Sequence, residues 1–464
     1  MMRKFQFKFK SIFGGKLLSA VVRLLRRRGL QLLMAAVFTG ILLVACYIYD
    51  NVPHSLLGSA SVSQRYEIAK SALFGLSDKV PDDVMLVNIA YDRELVNYYD
   101  ELQPEFPSGV VSVTDRHRLI AFFNQLADNP TYKYIMCDVR FEPNIDSPEV
   151  DNELYDAIAR TPRLVLPMHE GEEPTDPRIF SKAGYSDYAV NFVESNFVKY
   201  EFCKNNDESF PLKAYHDLTG HTISKYGPLY VSNGQLSRKC VELKFPVRIY
   251  SDGVMSLDSL DILAATGCIS GTKRVYYNLG ADILDMDMDM AAKAKDKIIV
   301  IGDFSGGDNH STYLGDMPGA VINYNALCAL LNEDHIVSVT EIVFLFILYF
   351  LVAVYILSGR SVMQTFLPRG LRFRLAYVLM HHRATRWMLS TRGASRIVWS
   401  FAGITVFLMV VSAICYIFTS IIIYLFIPSI LFTLLKHVVI YAKLRKTNPH
   451  VLRARRRRTA TATC

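Results

Sequence analysis

The residues with the greatest chemical potential in this chain are acidic side chains at the ends of short runs rich in valine and isoleucine. Asp92 follows DVMLVNIA, Asp138 lies near the end of YKYIMCDV, and Asp303 ends KIIVIGD. Ligands of open α/β sheets bind outside the carboxyl ends of the strands, so these positions predict one shared site. Three neighbouring residues complete the predicted ligand-binding set: Glu142, Asp308 and His310. Such a set suits a hard cation or a cationic ligand.

The same carboxylates also have a structural interpretation, in which they cap the helices that follow or pair with arginines. The neighbouring arginines are Arg93, Arg116 and Arg140. Catalysis is not expected, because the sequence has no GxSxG elbow, no HExxH motif and no cysteine or serine nucleophile with an evident histidine partner. We therefore expect neither enzymatic activity nor a cofactor, and the identity of any metal stays open.

A glycine-rich loop follows the last of these runs, in the stretch KIIVIGDFSGGDNH from Lys297 to His310. Its spacing excludes a phosphate site, because Gly302, Gly306 and Gly307 fit neither GxGxxG nor the P-loop pattern, and no lysine follows. The neighbouring carboxylates would also repel phosphate. We predict a core strand whose glycines let the chain turn sharply at the ligand-facing edge of the sheet.

The spacing of apolar residues predicts strands that alternate with helices. The predicted strands are Asp83–Ala90, Tyr132–Val139, Arg163–Pro167 and Lys297–Asp303. The predicted helices are Asp115–Ala127, Asp151–Ala159 and Ala320–Leu331. Asp115 is expected to cap the first helix. This alternation is typical of an α/β fold with a mostly parallel sheet and flanking helices. Residues 171–235, rich in glycine, proline, asparagine and tyrosine, predict an irregular insertion.

Charge is strongly segregated along the 464 residues. All 44 acidic residues lie between Asp50 and Glu341, a segment that holds 25 basic residues and therefore has a net charge of −19. The two ends contain the other 26 basic residues and no acidic ones, and they are interrupted by long uncharged stretches. This pattern indicates the flanks of membrane helices rather than a nucleic-acid surface. Binding of anionic lipid or of a protein partner by the basic ends is a second interpretation.

Four transmembrane helices are predicted, at residues 29–49, 341–358, 397–418 and 420–442. The uncharged stretch from Ile397 to Leu435 is 39 residues long, about twice one span, which predicts a helical hairpin with its turn near Thr419 and Ser420. Pro428 is expected to kink the second arm.

The positive-inside bias orients these spans. The basic segments predicted to be cytoplasmic are 1–28, 359–396 and 443–464. All three share one side of the membrane only if one span precedes the acidic segment and three follow it. Residues 50–338 are then an extracytoplasmic domain.

The cysteines leave two alternatives open. Leu43-Val44-Ala45-Cys46 resembles a lipobox, so cleavage and lipidation at Cys46 stand beside an uncleaved anchor. Five cysteines fall outside the spans, an odd number without CxxC spacing, which disfavours a disulfide framework and a zinc site. A single bridge between Cys203 and Cys240 remains an alternative. Cys137 and Cys328 lie in apolar runs and are expected in the core.

Several motifs, taken in order, resemble those of the CHASE2 domain, an extracytoplasmic sensory domain of bacterial transmembrane receptors. They are VNIAYDREL at 87–95, CDVRFEP at 137–143, KIIVIGD at 297–303, MPG at 317–319 and NYNAL at 323–327. The resemblance covers roughly residues 50–338. It departs from the family where a tryptophan-rich turn is usual, since this chain has only FPS at 106–108.

The resemblance implies a multi-pass protein of the bacterial inner membrane whose periplasmic domain binds an unknown ligand. Family members often continue into a histidine kinase, a nucleotide cyclase or a protein kinase, whereas this chain ends 22 residues after its last predicted span. We therefore expect the signal to pass to a separate cytoplasmic signalling protein. The alternative is a structural or assembly subunit of an envelope membrane complex. Membrane lipid is an expected partner, a second copy of the chain is an open one, and nucleic acid is not expected.

Overall fold

The computed structural model describes residues 29–53, 59–74, 83–99, 107–141, 148–169, 176–187, 199–204, 207–245, 275–312, 315–359, 370, 392–419 and 421–447. The chain divides into two compact units, of which one is Asp50–Val337 and the other combines Met1–Tyr49 with Ser338–Cys464. The predicted N-terminal segment 1–28 and much of the basic segments 359–396 and 443–464 lie outside the described residues.

Strands are numbered along the chain as β1 (Val84–Asn88), β2 (Arg93–Tyr99), β3 (Pro107–Thr114), β4 (Tyr134–Cys137), β5 (Leu164–Met168), β6 (Ala183–Tyr185), β7 (Lys199–Glu201), β8 (Cys203–Lys204), β9 (Asp207–Glu208), β10 (Ile223–Tyr226), β11 (Leu229–Ser232), β12 (Gln235–Ser237), β13 (Cys240–Glu242), β14 (Tyr276–Asn278), β15 (Ile298–Gly302), β16 (Asn309–Thr312) and β17 (Gly315–Pro318). Helices are α1 (Gly29–Asp50), α2 (Ser59–Phe74), α3 (Arg116–Asp128), α4 (Pro148–Arg160), α5 (Phe210–Thr219), α6 (Met290–Lys293), α7 (Gly319–Leu331), α8 (Val339–Leu357), α9 (Arg392–Thr419) and α10 (Phe426–Thr447).

The unit Asp50–Val337 is built on a six-stranded sheet with the order β14-β1-β15-β4-β5-β6. Every neighbouring pair in this sheet is parallel. The central strands β1, β15 and β4 are buried along their whole length, as expected for parallel strands covered on both faces. The predicted α/β fold with a parallel sheet is therefore confirmed.

Two hydrophobic clusters cover the two faces of this sheet, because successive residues of a strand point to opposite sides. Val84 and Leu86 of β1 join one cluster, which contains side chains of α5 and α7. Met85 and Val87 join the other, which contains side chains of α3 and α4. The domain is thus a three-layer α/β/α arrangement.

Helix α3 forms where the sequence predicts it. Its apolar residues recur at helical spacing, and its buried residues are Arg116, Leu119, Ile120, Phe122, Phe123 and Leu126. The carboxylate of Asp115 accepts a hydrogen bond from the backbone N–H of Arg118 at 3.0 Å, a cap that stabilises a helix by about 1 kcal/mol. The predicted cap is confirmed. The other predicted strands and helices correspond to β1, β4, β5, β15, α4 and α7.

The predicted irregular insertion at residues 171–235 is wrong for its described part. This stretch supplies β6, which pairs with β5 as the edge strand of the sheet, and α5, which packs on the sheet. A Cβ at Gly184 in β6 would lie 2.8 Å from the Cα of Phe210, so glycine lets α5 approach closely. The prediction failed because β6 has only three residues, too few to show a period of two.

A separate antiparallel ribbon is formed by β2 and β3. Leu95 faces Ser112 and Asn97 faces Val110 across the ribbon. Leu95 is 77% exposed and Val110 is 61% exposed, so one face of the ribbon presents apolar side chains to solvent.

Within its described residues, the other unit contains four helices that are long and apolar enough to cross a membrane: Gly29–Asp50, Val339–Leu357, Ile397–Thr419 and Phe426–Lys443. Aromatic contacts join three of them. The ring of Phe432 in α10 lies 5.5 Å from that of Phe38 in α1 and 6.0 Å from that of Tyr349 in α8. The number of apolar helices agrees with the sequence prediction.

The second helix of the predicted hairpin begins later than expected. Helix α9 ends at Thr419 and α10 begins at Phe426, so Pro428 lies in the first turn of α10. Proline is tolerated there because the first backbone N–H groups of a helix have no partner within the helix. Pro428 is therefore accommodated in the first turn of α10, and the expected kink in the middle of the second arm is not needed.

Candidate functional site

The carboxyl ends of β1, β15 and β4 lie side by side at one edge of the sheet, since Asn88 is in register with Gly302 and Ile301 with Cys137. Asn88 is fully buried, and its Oδ1 accepts from the backbone N–H groups of Ala90 at 3.2 Å and Phe304 at 3.1 Å. The side chain thereby fixes the two loops that leave this edge.

Asp303 leaves β15 into the glycine-rich loop. Its Oδ1 accepts hydrogen bonds from the backbone N–H and the hydroxyl of Ser305, both at 2.8 Å, and its Oδ2 lies 3.2 Å from Arg93. The predicted sharp turn is present, although Gly306 and Gly302 are required for different reasons. Gly306 has a φ of +113°, whereas a Cβ at Gly302 would lie 2.5 Å from the Cβ of Ala320. Gly302 thus permits close packing of α7.

Asp138 follows β4, next to Asp303 at the same edge, and its side chain is half-buried. Nδ2 of Asn323 in α7 donates to its Oδ2 at 3.1 Å, and the Tyr200 hydroxyl donates to Oδ1 of the same amide at 2.7 Å. Burial raises the pKa of Asp138 to about 7, and the charge of Asp308 adds to the rise. This carboxyl therefore gains and loses a proton near neutrality.

Two histidine–carboxylate pairs lie near Asp138. His310 is 2.9 Å from Asp308, and His169 is 2.9 Å from Asp187. Both histidines act electrostatically on the Asp138 carboxyl. The remaining predicted ligand residue, Glu142, lies outside the described residues.

Asp92 has a different environment from the other predicted ligand residues. It is 5% exposed, and its carboxylate accepts from Arg118 at 2.6 Å and from the backbone N–H of Gly280 at 3.1 Å. A Cβ at Gly280 would lie 2.2 Å from Oδ1 of Asp92, so glycine is required for this contact. Asp92 is thereby tied to the π-helical turn Leu279–Leu284.

A family model of the CHASE2 domain matches residues 43–358, more than half of the chain. The chain belongs to the CHASE2 family. CHASE2 is a sensory extracellular domain and not a catalytic one. The resemblance of the sequence motifs is confirmed, and the match extends beyond both ends of the predicted segment 50–338. Comparisons with curated proteins and with solved structures gave no match.

The sheet edge of this CHASE2 domain holds its charges mostly as pairs. Asp92 pairs with Arg118, Asp303 with Arg93, and Asp308 lies against His310. Among the described residues, no group of three or more His, Cys, Asp and Glu side chains is placed to hold a metal ion. The described part of this edge offers Asp138 as a proton-binding group and carboxylate oxygens as hydrogen-bond acceptors for cationic groups.

Residues 236–240, here called the anchor segment, bind both chain ends of the domain: residues 50–51, where the chain enters it, and residues 335–337, where the chain leaves it. On the outgoing side, the backbone N–H of Arg238 donates to the carbonyl of His335 at 2.8 Å, and that of Val337 donates to Leu236 at 2.8 Å. On the incoming side, the backbone N–H of Lys239 donates to Oδ1 of Asn51 at 2.7 Å.

A buried ionic cluster reinforces this junction. The carboxylate of Asp50 accepts from Nε of Arg238 and lies 3.4 Å from Nζ of Lys199. The side chains of Asp50 and Lys199 are 7% and 2% exposed. Arg238 also donates to the carbonyl of Ile336 at 3.4 Å, so one guanidinium contacts both chain ends. This cluster is not predicted from the sequence, although Asp50 is the first acidic residue of the chain and thus marks the boundary between the basic N-terminal segment and the acidic central segment.

The thiols near this junction are free. Cys203 and Cys240 are both buried and unbridged, so the alternative of a disulfide between them is wrong for this structure. The Cys240 thiol instead donates to the carbonyl of Asn51 at 3.5 Å. Burial raises the pKa of Cys203 to about 11 and raises that of Cys240 further. Cys137 is a core residue, as predicted.

Proposed function

We propose that this chain is a sensory protein of the bacterial inner membrane. Its CHASE2 domain would lie in the periplasm, with one span before it and three after it, and would detect an extracytoplasmic stimulus. The four apolar helices, the acidic central segment and the basic ends support this topology. The helices would relay the signal from the CHASE2 domain to a separate cytoplasmic signalling protein.

The observation that carries this proposal is the anchor segment. Residues 50–51 and 335–337 are the two points where the domain continues into apolar helices, α1 and α8. Both points are bound to the same five residues, and Arg238 contacts both with one side chain. A change within the domain that moved this segment would therefore act on both connections together.

The proposed stimulus site is the carboxyl edge of the sheet, around Asp138, Asp303 and Asp308. Its net negative charge favours a cation or a cationic group over an anion. The connection from this edge to the anchor segment runs through α7, because Asn323 lies at the site and the same helix leads into His335 and Ile336. The path from the carboxyl edge of the sheet to the residues that lead into α8 is thus short.

Purification of the full chain in mild detergent tests the relay. We expect a kinase, a cyclase or a response regulator to co-purify. Thermal unfolding of the same preparation in the presence of ions and small cationic metabolites tests the site, since a ligand that prefers the folded state raises its stability. The stabilisation should be lost in Asp303→Asn. A partner set without any signalling protein, together with no stabilising ligand, would reject the sensory proposal.

An assembly role is the second candidate function, and the β2–β3 ribbon favours it. Leu95 and Val110 expose apolar surface on one face of this ribbon, a feature typical of protein–protein contacts. In this case the domain would bind another envelope protein. A stoichiometric envelope complex that is lost in Leu95→Ser, but kept in Phe180→Ser, would select this function. Phe180 is a matched control because it is 61% exposed and lies outside the ribbon.

A further inference from the structure

A chain of polar side chains leaves the carboxyl edge of the sheet and enters the core. Asn323 donates to Asp138, and the hydroxyl of Tyr200 donates to Asn323. Asn323 is 1% exposed and Tyr200 is 0% exposed. An amide has one donor end and one acceptor end, so the orientation of Asn323 depends on whether Asp138 accepts or donates a hydrogen bond.

Groups that titrate or carry charge face Asp138 from several elements. They are Asp308 and His310 from the loop and strand after β15, His169 from the segment that follows β5, and Tyr200 from β7. Asp187, which follows β6, pairs with His169 and acts on Tyr200. Electrostatic interactions with Asp308, His310 and His169 thus converge on the Asp138 carboxyl.

Burial and the nearby Asp308 raise the pKa of Asp138 to about 7, while its hydrogen bond from Asn323 and the two histidines oppose the rise. An exposed aspartate stays charged throughout the neutral range, because its usual pKa is about 3.9. Asp138 differs from such residues in its position, since it combines a half-buried carboxyl with a direct bond to a fully buried amide.

We propose that Asp138 binds and releases a proton in response to extracytoplasmic pH, and that Asn323 and Tyr200 transmit this change to the anchor segment. The inference rests on the proposed sensory function and names a proton as its stimulus. When charged, Asp138 accepts from Nδ2 of Asn323. When a proton from solvent binds, the new hydroxyl donates to Oδ1 and the amide turns over. The Tyr200 hydroxyl then loses Oδ1 as its acceptor and faces Nδ2 instead.

The strand that carries Tyr200 connects this change to the chain ends. Tyr200 is opposite Val241 in the β7–β13 pair, and its neighbour Lys199 contacts Asp50. Cys240, at the start of β13, donates to the carbonyl of Asn51. A shift of β7 when Tyr200 loses its acceptor therefore loosens the incoming chain end, and the buried thiol of Cys240 becomes accessible to a reagent.

The thiol of Cys240 provides the test. The full chain in lipid nanodiscs is treated with 4,4′-dithiodipyridine between pH 5.5 and 8.5, and modification of Cys240 is followed by peptide mass spectrometry. Rates are divided by those of the denatured chain at the same pH, which removes the intrinsic pH dependence of the thiol. We expect the normalised rate to rise at least threefold on acidification, with a midpoint near pH 7.

Four variants separate the steps. Asp138→Asn should abolish the transition, and Asp138→Glu should keep it with a shifted midpoint. If Asp138→Asn does not fold, the shifted midpoint of Asp138→Glu still tests Asp138 as the proton site. Tyr200→Phe keeps the ring but lacks the hydroxyl, so its profile should be flat. His216→Gln is the matched control, because His216 also lies 3.0 Å from a carboxylate, that of Glu208, but outside this cluster. Its profile should match that of the unmodified chain.

The outcomes are distinct. A transition that persists unchanged in both Asp138 variants would overturn Asp138 as the proton site, and one that persists in Tyr200→Phe would overturn the transmission route. A flat profile in the unmodified chain would reject pH as the stimulus. That result would leave the sensory function standing if a signalling protein still co-purified, so the two failures are distinguishable.

Discussion

The guanidinium of Arg238 donates a hydrogen bond to the carboxylate of Asp50, the residue at which helix α1 ends. The two residues are far apart in the sequence, and the contact is largely buried, with side-chain exposures of 15% and 7%. Because Arg238 also contacts Ile336, one side chain joins the residue where the chain enters the domain to the segment where it leaves.

Arg238→Gln should therefore destabilise the domain. Loss of the guanidinium deprives the buried Asp50 carboxylate of its Arg238 partner and removes the contact to Ile336. Breaking a largely buried ion pair destabilises proteins by roughly 2 kcal/mol or more. Chemical unfolding of the full chain in detergent measures the effect. Lys133→Gln is the control, since its pair with Asp83 is exposed and 4.0 Å long, and the change should be under about 0.5 kcal/mol. Equal effects of the two substitutions would contradict a special role for Arg238.

Gly280→Ala should be strongly destabilising. The added Cβ would lie 1.5 Å from Arg118 and 2.2 Å from Asp92, so the buried Asp92 carboxylate and its Arg118 partner must shift. We expect a loss of about 2 to 3 kcal/mol, typical of overpacking combined with a disturbed buried charge. The control is Gly109→Ala in β3, where nothing lies within 4 Å of the added atom. Thermal unfolding should separate the two variants clearly, and similar midpoints would show that the site can relax.

Asp138 should make the free energy of unfolding depend on pH. Its pKa is raised in the folded protein, to about 7, so the folded state binds the proton more tightly than the unfolded state does. Stability from this group is fully present below about pH 4, the unfolded pKa, and is lost as the pH rises through 7.

Asp138→Asn removes this dependence, because the amide does not titrate. Relative to the unmodified chain, the variant should gain stability between pH 5 and pH 8, on the order of 2 kcal/mol. Urea unfolding at a series of pH values measures the difference. A difference that is constant across this range, or that falls with rising pH, would mean that the carboxyl has no raised pKa.

Alkylation of the denatured, unreduced chain should modify both Cys203 and Cys240. Both thiols are buried and free, and burial raises the pKa of each, which keeps them protonated and unreactive in the folded state. Peptide mass spectrometry after alkylation gives the answer directly. A peptide pair joined through these two residues would contradict the free thiols of the structure.

The proposed topology predicts opposite results for two reporter fusions. Alkaline phosphatase fused after Cys464 should be inactive, because the basic segment 443–464 is placed in the cytoplasm and the enzyme requires an oxidising compartment. The same enzyme fused after residue 337 should be active. An active C-terminal fusion, with equal amounts of protein in both strains, would exclude four spans in the proposed orientation.

Much of the architecture was predictable from local sequence. Runs such as IIVIG are buried on both faces and therefore lack polar residues, and this makes parallel strands visible without a structure. The apolar face of α3 and the cap at Asp115 were equally visible. The carboxyl edge could be predicted as well, because Asp138 and Asp303 each follow such a run, and parallel strands end on the same side.

The state of each acidic residue could not be predicted in this way. Asp92, Asp138 and Asp303 look alike in the sequence, but one is buried against Arg118, one is bonded to Asn323, and one pairs with Arg93. These partners come from distant parts of the chain. Charge and hydrogen bonding act through space, so a carboxyl's partner and its pKa depend on which elements pack beside it.

The sequence by itself thus determined the apolar helices, the parallel sheet and the edge at which its acidic residues gather, because these follow from residue types at short spacing. Only the tertiary structure decided that Tyr200 reaches Asn323 and that Arg238 joins Asp50 to Ile336. Strands β6, β7 and β13 are only three residues long, so their pairing depends on the surrounding core rather than on a local pattern. The physical reason is that short elements gain their stability from burial against the rest of the fold.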